Sequence, residues 1–193
     1  MATTLIVPGL DNSGPDHWQS GWQALEPESV RVEQESWTTP DLPRWAANVT
    51  AALDGESRPV WIVAHSFGCL AAVVAATRRP GAVRGAFLVA PADPQKFGVA
   101  HHLPQAALPF PSLLVASSTD PWIKLMTAAL WAERWGSRLV NIGAAGHINA
   151  ASGFGPWIEG RALFGRFCRS QQEWLHGDIG VDAGEVKSQF RLG

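Results

Sequence analysis

The chain alternates short, almost wholly apolar runs with longer stretches whose apolar residues recur every three or four positions. Leu5-Ile6-Val7, closed by Pro8-Gly9, is the first run, and Val30 to Glu35 alternates as a strand does. Leu42, Trp45, Ala46, Val49 and Leu53 share one face of a helix predicted over Pro40 to Leu53. Val60 to Ala64 is a compact apolar run, and Phe67 to Arg79 is an Ala- and Val-rich helix stopped by Pro80-Gly81. Further on, Ala86 to Ala90 and Leu113 to Ser117 read as strands. Trp122 to Trp135 reads as a helix ending at Gly136, and Leu139 to Ile142 as a last strand. Trp157 to Leu175 is amphipathic, with Phe164, Phe167, Trp174 and Leu175 set against Arg161, Arg166 and Arg169.

Strands that are apolar at nearly every residue are covered on both faces, and their alternation with helices implies an α/β fold around a mostly parallel sheet. A chain of 193 residues supplies one well-buried domain, expected over 1–176. The polar stretch from Gly177 is expected to be a mobile tail. Pro94 to Pro111, rich in Pro and Ala, matches no regular element.

Composition narrows the function. Hydrophobic residues make up 46% and charged residues only 17%, against roughly 25% charged in average domains, so much of the chain expects burial. Lys plus Arg is 15 and Asp plus Glu 17, a net charge of −2, without the basic excess of a general nucleic-acid binder. Cys69 and Cys168 stand far apart, so neither a disulfide framework nor a cysteine zinc site is expected. The paired His101-His102 has no ligand partner at metal-binding spacing, and neither G-x-G-x-x-G nor a P-loop occurs, so no metal and no cofactor are expected. The first basic side chain is Arg31 and the longest apolar stretch, Phe67 to Ala76, is about ten residues, half the roughly twenty that span a bilayer. A cytoplasmic protein without membrane attachment is the expectation.

The sharpest chemical signal is Ala64-His65-Ser66-Phe67-Gly68, lying between a strand and an Ala-rich helix. A nucleophile elbow needs small residues two before and two after the nucleophile because the strand-to-helix turn is tight, and Ala64 is small enough to replace the usual first glycine. Such a turn lifts Ser66 to the C-terminal edge of the sheet, where the backbone N–H of Phe67 and the helix dipole meet a developing oxyanion. The bland alternative is that Ser66 merely caps the helix.

A serine hydroxyl needs a base, and in elbow-type hydrolases the chain order is nucleophile, acid, histidine. That order leaves His147 and His176; His147 sits in the glycine-bearing loop after the last strand, His176 at the end of the last helix. Two carboxylates follow strand ends beyond Ser66: Asp120 in Ser117-Ser-Thr-Asp120-Pro and Asp93 in Ala90-Pro-Ala-Asp93-Pro. Asp120 neighbours the His147 loop and is the favoured acid; Asp93 is placed to make a turn with Pro94. A second oxyanion donor is expected from the loop after the first strand, with Gly9 letting the Leu10 N–H turn inward. His17 and Trp18 are candidates to line the cleft, although Trp18 and Trp22 also have core spacing. His65 is expected to pack beneath the elbow.

Several of these segments resemble one known group. Ile6-Val-Pro-Gly-Leu10, Asp16-His-Trp-Gln19, Ala64-His-Ser-Phe-Gly68, Ser117-Ser-Thr-Asp120-Pro, Gly146-His147-Ile-Asn and Gly153-Phe-Gly-Pro-Trp157 are similar to the small serine hydrolases related to YdeN and retinoblastoma-binding protein 9. The resemblance runs from about residue 3 to about 175. It implies a compact α/β-hydrolase with little or no cap domain and a triad on Ser66, His147 and Asp120. Retinoblastoma binding is not carried over, because the chain has no L-x-C-x-E.

The sequence therefore reads as a serine hydrolase cleaving a small ester by acyl transfer. The rival readings are an idle hydrolase scaffold that binds a partner and an aminopeptidase-like amidase using Asp11 and Asp16. The apolar loop 94–111 is expected to flap over an acyl pocket. The partner is expected to be a small ester or amide; oligomeric state is open.

Overall fold

The computed structural model describes residues 3–177, with side chains through residue 171. The expectations for the tail, and for the side chains of Trp174, Leu175 and His176, lie outside the described residues. Six strands form one sheet in the order β2-β1-β3-β4-β5-β6. They are β1 (Thr4–Val7), β2 (Ser29–Arg31), β3 (Val60–His65), β4 (Val83–Val89), β5 (Ser112–Ala116) and β6 (Arg138–Asn141). Every neighbouring pair is parallel. Five helices connect or follow them: α1 (Trp18–Leu25), α2 (Leu42–Asp54), α3 (Phe67–Arg78), α4 (Leu125–Trp135) and α5 (Ile158–Gly177).

The period of two along each strand divides the core. Leu5, Val7, Ile62, Ala64, Leu88 and Leu114 face α2, α3 and α4. Ile6, Val63, Phe87, Val89 and Val115 face the other side, where α1 and α5 bring Trp18, Trp22 and Phe167. Both faces are thus closed by helices, giving a doubly wound α/β architecture. Local chemistry sets the helix ends: the Asp41 carboxylate accepts from the Arg44 N–H at the start of α2. Gly136, at φ +63°, ends α4 in the left-handed conformation. Among the described residues no helix is long and apolar enough to cross a membrane.

Beyond shifts of one to three residues at other element ends, four segments differ from their sequence expectation. The strand expected to reach Glu35 pairs only through Arg31, and Val32 makes one more bond, N–H to the Ile6 carbonyl at 2.9 Å. As an edge strand it has a neighbour on one side alone, so little holds it straight. The helix expected from Pro40 begins at Leu42, because Asp41 serves as its cap. The helix expected from Trp122 begins at Leu125, because Asp120-Pro121-Trp122 forms a turn closed on the Asp120 carboxylate. The expected flap over 94–111 is a packed loop: Leu103, Leu108 and Phe110 are buried in the core. Trp135 Nε1–H donates to the Pro104 carbonyl, and the Leu108 N–H to that of Trp135.

Candidate active site

The strand order reverses between β1 and β3: connections run outward to β2 on one side and to β4, β5 and β6 on the other. In open α/β sheets the crevice beyond the carboxyl ends of strands at such a switch point is the natural ligand site. The loops leaving β1 and β3 there approach each other closely. A methyl group on Gly68 would lie 2.2 Å from the Pro8 carbonyl oxygen, and one on Gly9 would lie 2.6 Å from Ser66 Cβ. Only hydrogen fits at either position, so the Gly9–Leu10 backbone passes directly beside Ser66.

Ser66 adopts φ 54°, ψ −127°, a conformation strained for any residue but glycine. Its N–H is tied to the Val89 carbonyl at 3.1 Å, which holds the turn on the sheet. Ser66 occupies the capping position of α3 yet makes no side-chain cap bond. Its hydroxyl instead donates to His147 Nε2 at 2.9 Å. The other imidazole nitrogen, Nδ1–H, reaches both Asp120 oxygens, at 3.0 and 2.9 Å. The Asp120 side chain has no solvent exposure, and Trp122 N–H bonds it at 2.8 Å. With Nδ1 protonated toward the carboxylate, Nε2 is free to accept the serine proton. A hydroxyl so placed can be activated as a nucleophile.

Asp93 is occupied elsewhere, accepting the Gln95 N–H at 3.0 Å in its own turn. The acid and histidine loops are joined directly. Ala145 N–H donates to Ser117 Oγ, Gly146 N–H to Thr119 Oγ1, and Ser118 N–H to the Gly143 carbonyl, all at 3.0 Å or less. His147 N–H donates to Ser152 Oγ, itself bonded to Asn149 Oδ1. The Phe67 N–H stands in the first turn of α3, where no intrahelical acceptor exists, and Leu10 lines the cleft beside Ser66.

The serine hydrolase family model matches residues 4–166 of the chain. The chain belongs to the serine hydrolase family. A solved structure described as a YdeN-like hydrolase from Pectobacterium atrosepticum is 38% identical, with TM-score 0.85 over 89% of this chain and 92% of that one. The ydeN gene product of B. subtilis is 17% identical, with TM-score 0.72 over 86% of this chain and 98% of that one. Est1E from Butyrivibrio proteoclasticus, solved with ferulic acid bound, is 13% identical with TM-score 0.65, over 93% and 90% of the two chains, a likeness of fold alone. No match was found among curated proteins.

In this serine hydrolase Ser66, His147 and Leu10 open into a cavity of about 390 Å³. His17 lines it. Trp18 does not: it is fully buried against Trp22 and Trp157, a correction of the cleft-lining expectation in favour of the core spacing. Its Nε1–H still serves the site from behind, donating to the Ile148 carbonyl at 2.9 Å. That bond holds Ile148 at φ 49°, an unfavourable conformation for a β-branched residue, next to His147. The neighbouring Gln19 was not singled out in the sequence. It is fully buried, and its amide donates to the Val7 and Val63 carbonyls at 3.2 and 3.1 Å, joining β1 to β3 beneath the switch point.

Phe97 and Trp122 are further cleft residues the sequence reading passed over, the first inside an unassigned loop and the second inside an expected helix. Asp11 and Asp16 sit exposed at the rim. A larger groove, about 950 Å³, opens between α1 and α5, but its described lining holds no histidine to serve a nucleophile. Among the described residues no group of three or more His, Cys, Asp or Glu side chains could hold a metal ion. Cys69 is buried, and burial pushes its thiol up; Cys168 is pushed up to about 12 for the same reason.

His65 lies under the elbow as expected, its Nε2–H donating to the His147 carbonyl at 2.9 Å. Its ring packs 4.9 Å from those of both His147 and His17. Burial, and then the neighbouring histidines, hold His65 well below its ordinary value. Burial, Arg31 and His147 lower His17 to about 4, and its Nδ1 accepts the Gln19 N–H. Both rings are therefore neutral in the fold. The unfolded chain takes up a proton at each near pH 6.5, so the stability present above that value falls as pH drops toward 4. For His17 the loss is about 1.4 kcal/mol per pH unit, and His65 adds to it in the same direction. Denaturant midpoints should fall clearly between pH 7 and pH 5, and His17→Gln should show a smaller fall. An unchanged fall in that variant would contradict the burial of a neutral His17.

Proposed function

We propose that this serine hydrolase is a carboxylesterase working by acyl transfer through Ser66, His147 and Asp120. The observation that carries the reading is the continuous hydrogen-bonded chain from Ser66 Oγ through the imidazole to the buried Asp120 carboxylate. Ser66 Oγ attacks the ester carbonyl carbon as His147 Nε2 takes its proton. Asp120 holds the imidazole in the tautomer that leaves Nε2 free and stabilises the imidazolium. The N–H groups of Leu10 and Phe67 receive the charge on the carbonyl oxygen; loss of one such donor costs roughly 10²–10³ in turnover. The carbon–oxygen bond to the alcohol then breaks, and the alcohol leaves with the proton from Nε2. Water, deprotonated by the same nitrogen, attacks the acyl-serine, and the carboxylic acid departs with Ser66 restored.

The complete chain of groups favours this over an idle scaffold. The exposed position of Asp11 and Asp16 favours an ester over an amine-anchored amide, since neither carboxylate is enclosed in a subsite. Short-chain aryl and alkyl esters assayed beside amino-acid amides test the reading. Ester turnover well above amide turnover is expected; activity on the amides alone would overturn the esterase assignment.

A further inference from the structure

We propose that Trp122 reads the alcohol half of the substrate and that the site selects esters of flat, aromatic alcohols. The inference rests on the esterase reading and specifies its substrate. In that chemistry the proton carried by His147 Nε2 passes to the departing oxygen, so the leaving group must lie beside the imidazole. Trp122 is the aromatic side chain found there. Its ring centroid is 6.1 Å from that of His147, inclined at 52°, and both residues line the cavity that contains Ser66.

Trp122 is 50% exposed, while its backbone is fixed at both ends. The Trp122 N–H donates to Asp120 Oδ1 at 2.8 Å. Its carbonyl accepts from Lys96 Nζ at 2.8 Å, and the same ammonium bonds the Pro121 carbonyl at 3.0 Å. A large apolar ring left half in water on a pinned turn is a platform waiting for a partner. The turn that places Asp120 also sets the platform's position relative to the imidazole.

A second aromatic side chain lines the cavity. Lys96 is followed by Phe97, which packs on Phe67 with ring centroids 5.1 Å apart and enters the same cavity. Lys96 thus links the loop carrying Phe97 to the turn carrying Trp122. A cavity of about 390 Å³ lies at the small end of ligand sites, so it suits one ring system with a short acyl group. Aromatic faces favour flat π partners beyond what buried area alone gives.

The test compares kcat/KM of wild type, Trp122→Ala and Trp122→Phe on 1-naphthyl acetate and ethyl acetate, which share an acyl group. Trp122→Ala should lose about 10–100-fold on the naphthyl ester and under about threefold on the ethyl ester, while Trp122→Phe retains most of the naphthyl rate. Equal losses on both esters would overturn the proposal, because Trp122 would then only be positioning Asp120. A second readout is independent of turnover: 1-naphthol titrated calorimetrically into Ser66→Ala, and into Ser66→Ala carrying Trp122→Phe or Trp122→Ala. Binding retained with Phe and lost with Ala supports the platform; no binding, or equal binding in all three, overturns it. If neither ester is cleaved by wild type yet naphthol binds through Trp122, the esterase reading fails and the platform stands.

Discussion

Replacing Ser66 by alanine should lower kcat for any ester substrate by roughly 10⁶-fold, the scale on which serine enzymes depend on their nucleophile. The effect is large because, in the proposed mechanism, the other groups act only through that oxygen: His147 Nε2, 2.9 Å away, takes its proton, and the Leu10 and Phe67 N–H groups serve the oxyanion its attack creates. What remains is the modest acceleration of an oxyanion hole and a binding cleft. Alanine removes one oxygen atom and leaves the backbone bond from the Ser66 N–H to Val89 intact, so the melting temperature should stay close to wild type. Steady-state kinetics beside a melting curve check both halves. Retention of more than about a hundredth of the activity in the folded variant would mean that Ser66 is not the nucleophile.

Asp120→Asn should lower kcat by about 10⁴-fold with the fold intact. The Asp120 carboxylate is wholly buried and accepts the His147 Nδ1–H through two oxygens. An amide at that place can offer N–H to Nδ1, which drives the ring's proton to Nε2, the nitrogen that must accept from Ser66. The imidazolium formed during attack also loses its counter-charge. Asp93→Asn should change kcat less than about threefold, because an asparagine oxygen can still accept the Gln95 N–H that closes its turn. Similar moderate losses in the two variants would break the assignment of Asp120.

The contrast between these two carboxylates shows how far the sequence reaches. Ser66 was legible because an elbow has local requirements, and small residues between a strand and a helix meet them within five positions. His147 followed from chain order. Asp93 and Asp120 both follow strand ends, so local pattern allowed either; what separates them is that β5 lies next to β6, from whose end His147 returns over the sheet. That adjacency belongs to the tertiary fold.

The misreadings have the same origin. Trp18 carried a core spacing with Trp22 and a cleft-lining reading at once, and the contact that decides, Trp18 to Ile148, spans 130 positions. Gln19 carries no local signal, because the carbonyls that satisfy its buried amide, of Val7 and Val63, belong to two separate strands. The loop 94–111 has no periodicity because α4 and the Trp135 backbone hold it, and no repeating pattern within the loop is needed. Trp122 was absorbed into a helical pattern that its own bond to Asp120 interrupts. The alternation of apolar runs and helices, by contrast, gave the layered sheet directly, because burial on both faces leaves its mark on every residue of β3 and β5 and on all of β4 but Arg84.

The most direct measurement is to treat the purified protein with a fluorophosphonate, beside Ser66→Ala, and to locate the adduct by mass spectrometry. The account predicts one adduct, on the peptide containing Ser66, absent from the variant. A folded protein that forms no adduct, or one labelled equally in the variant, would contradict an activated Ser66.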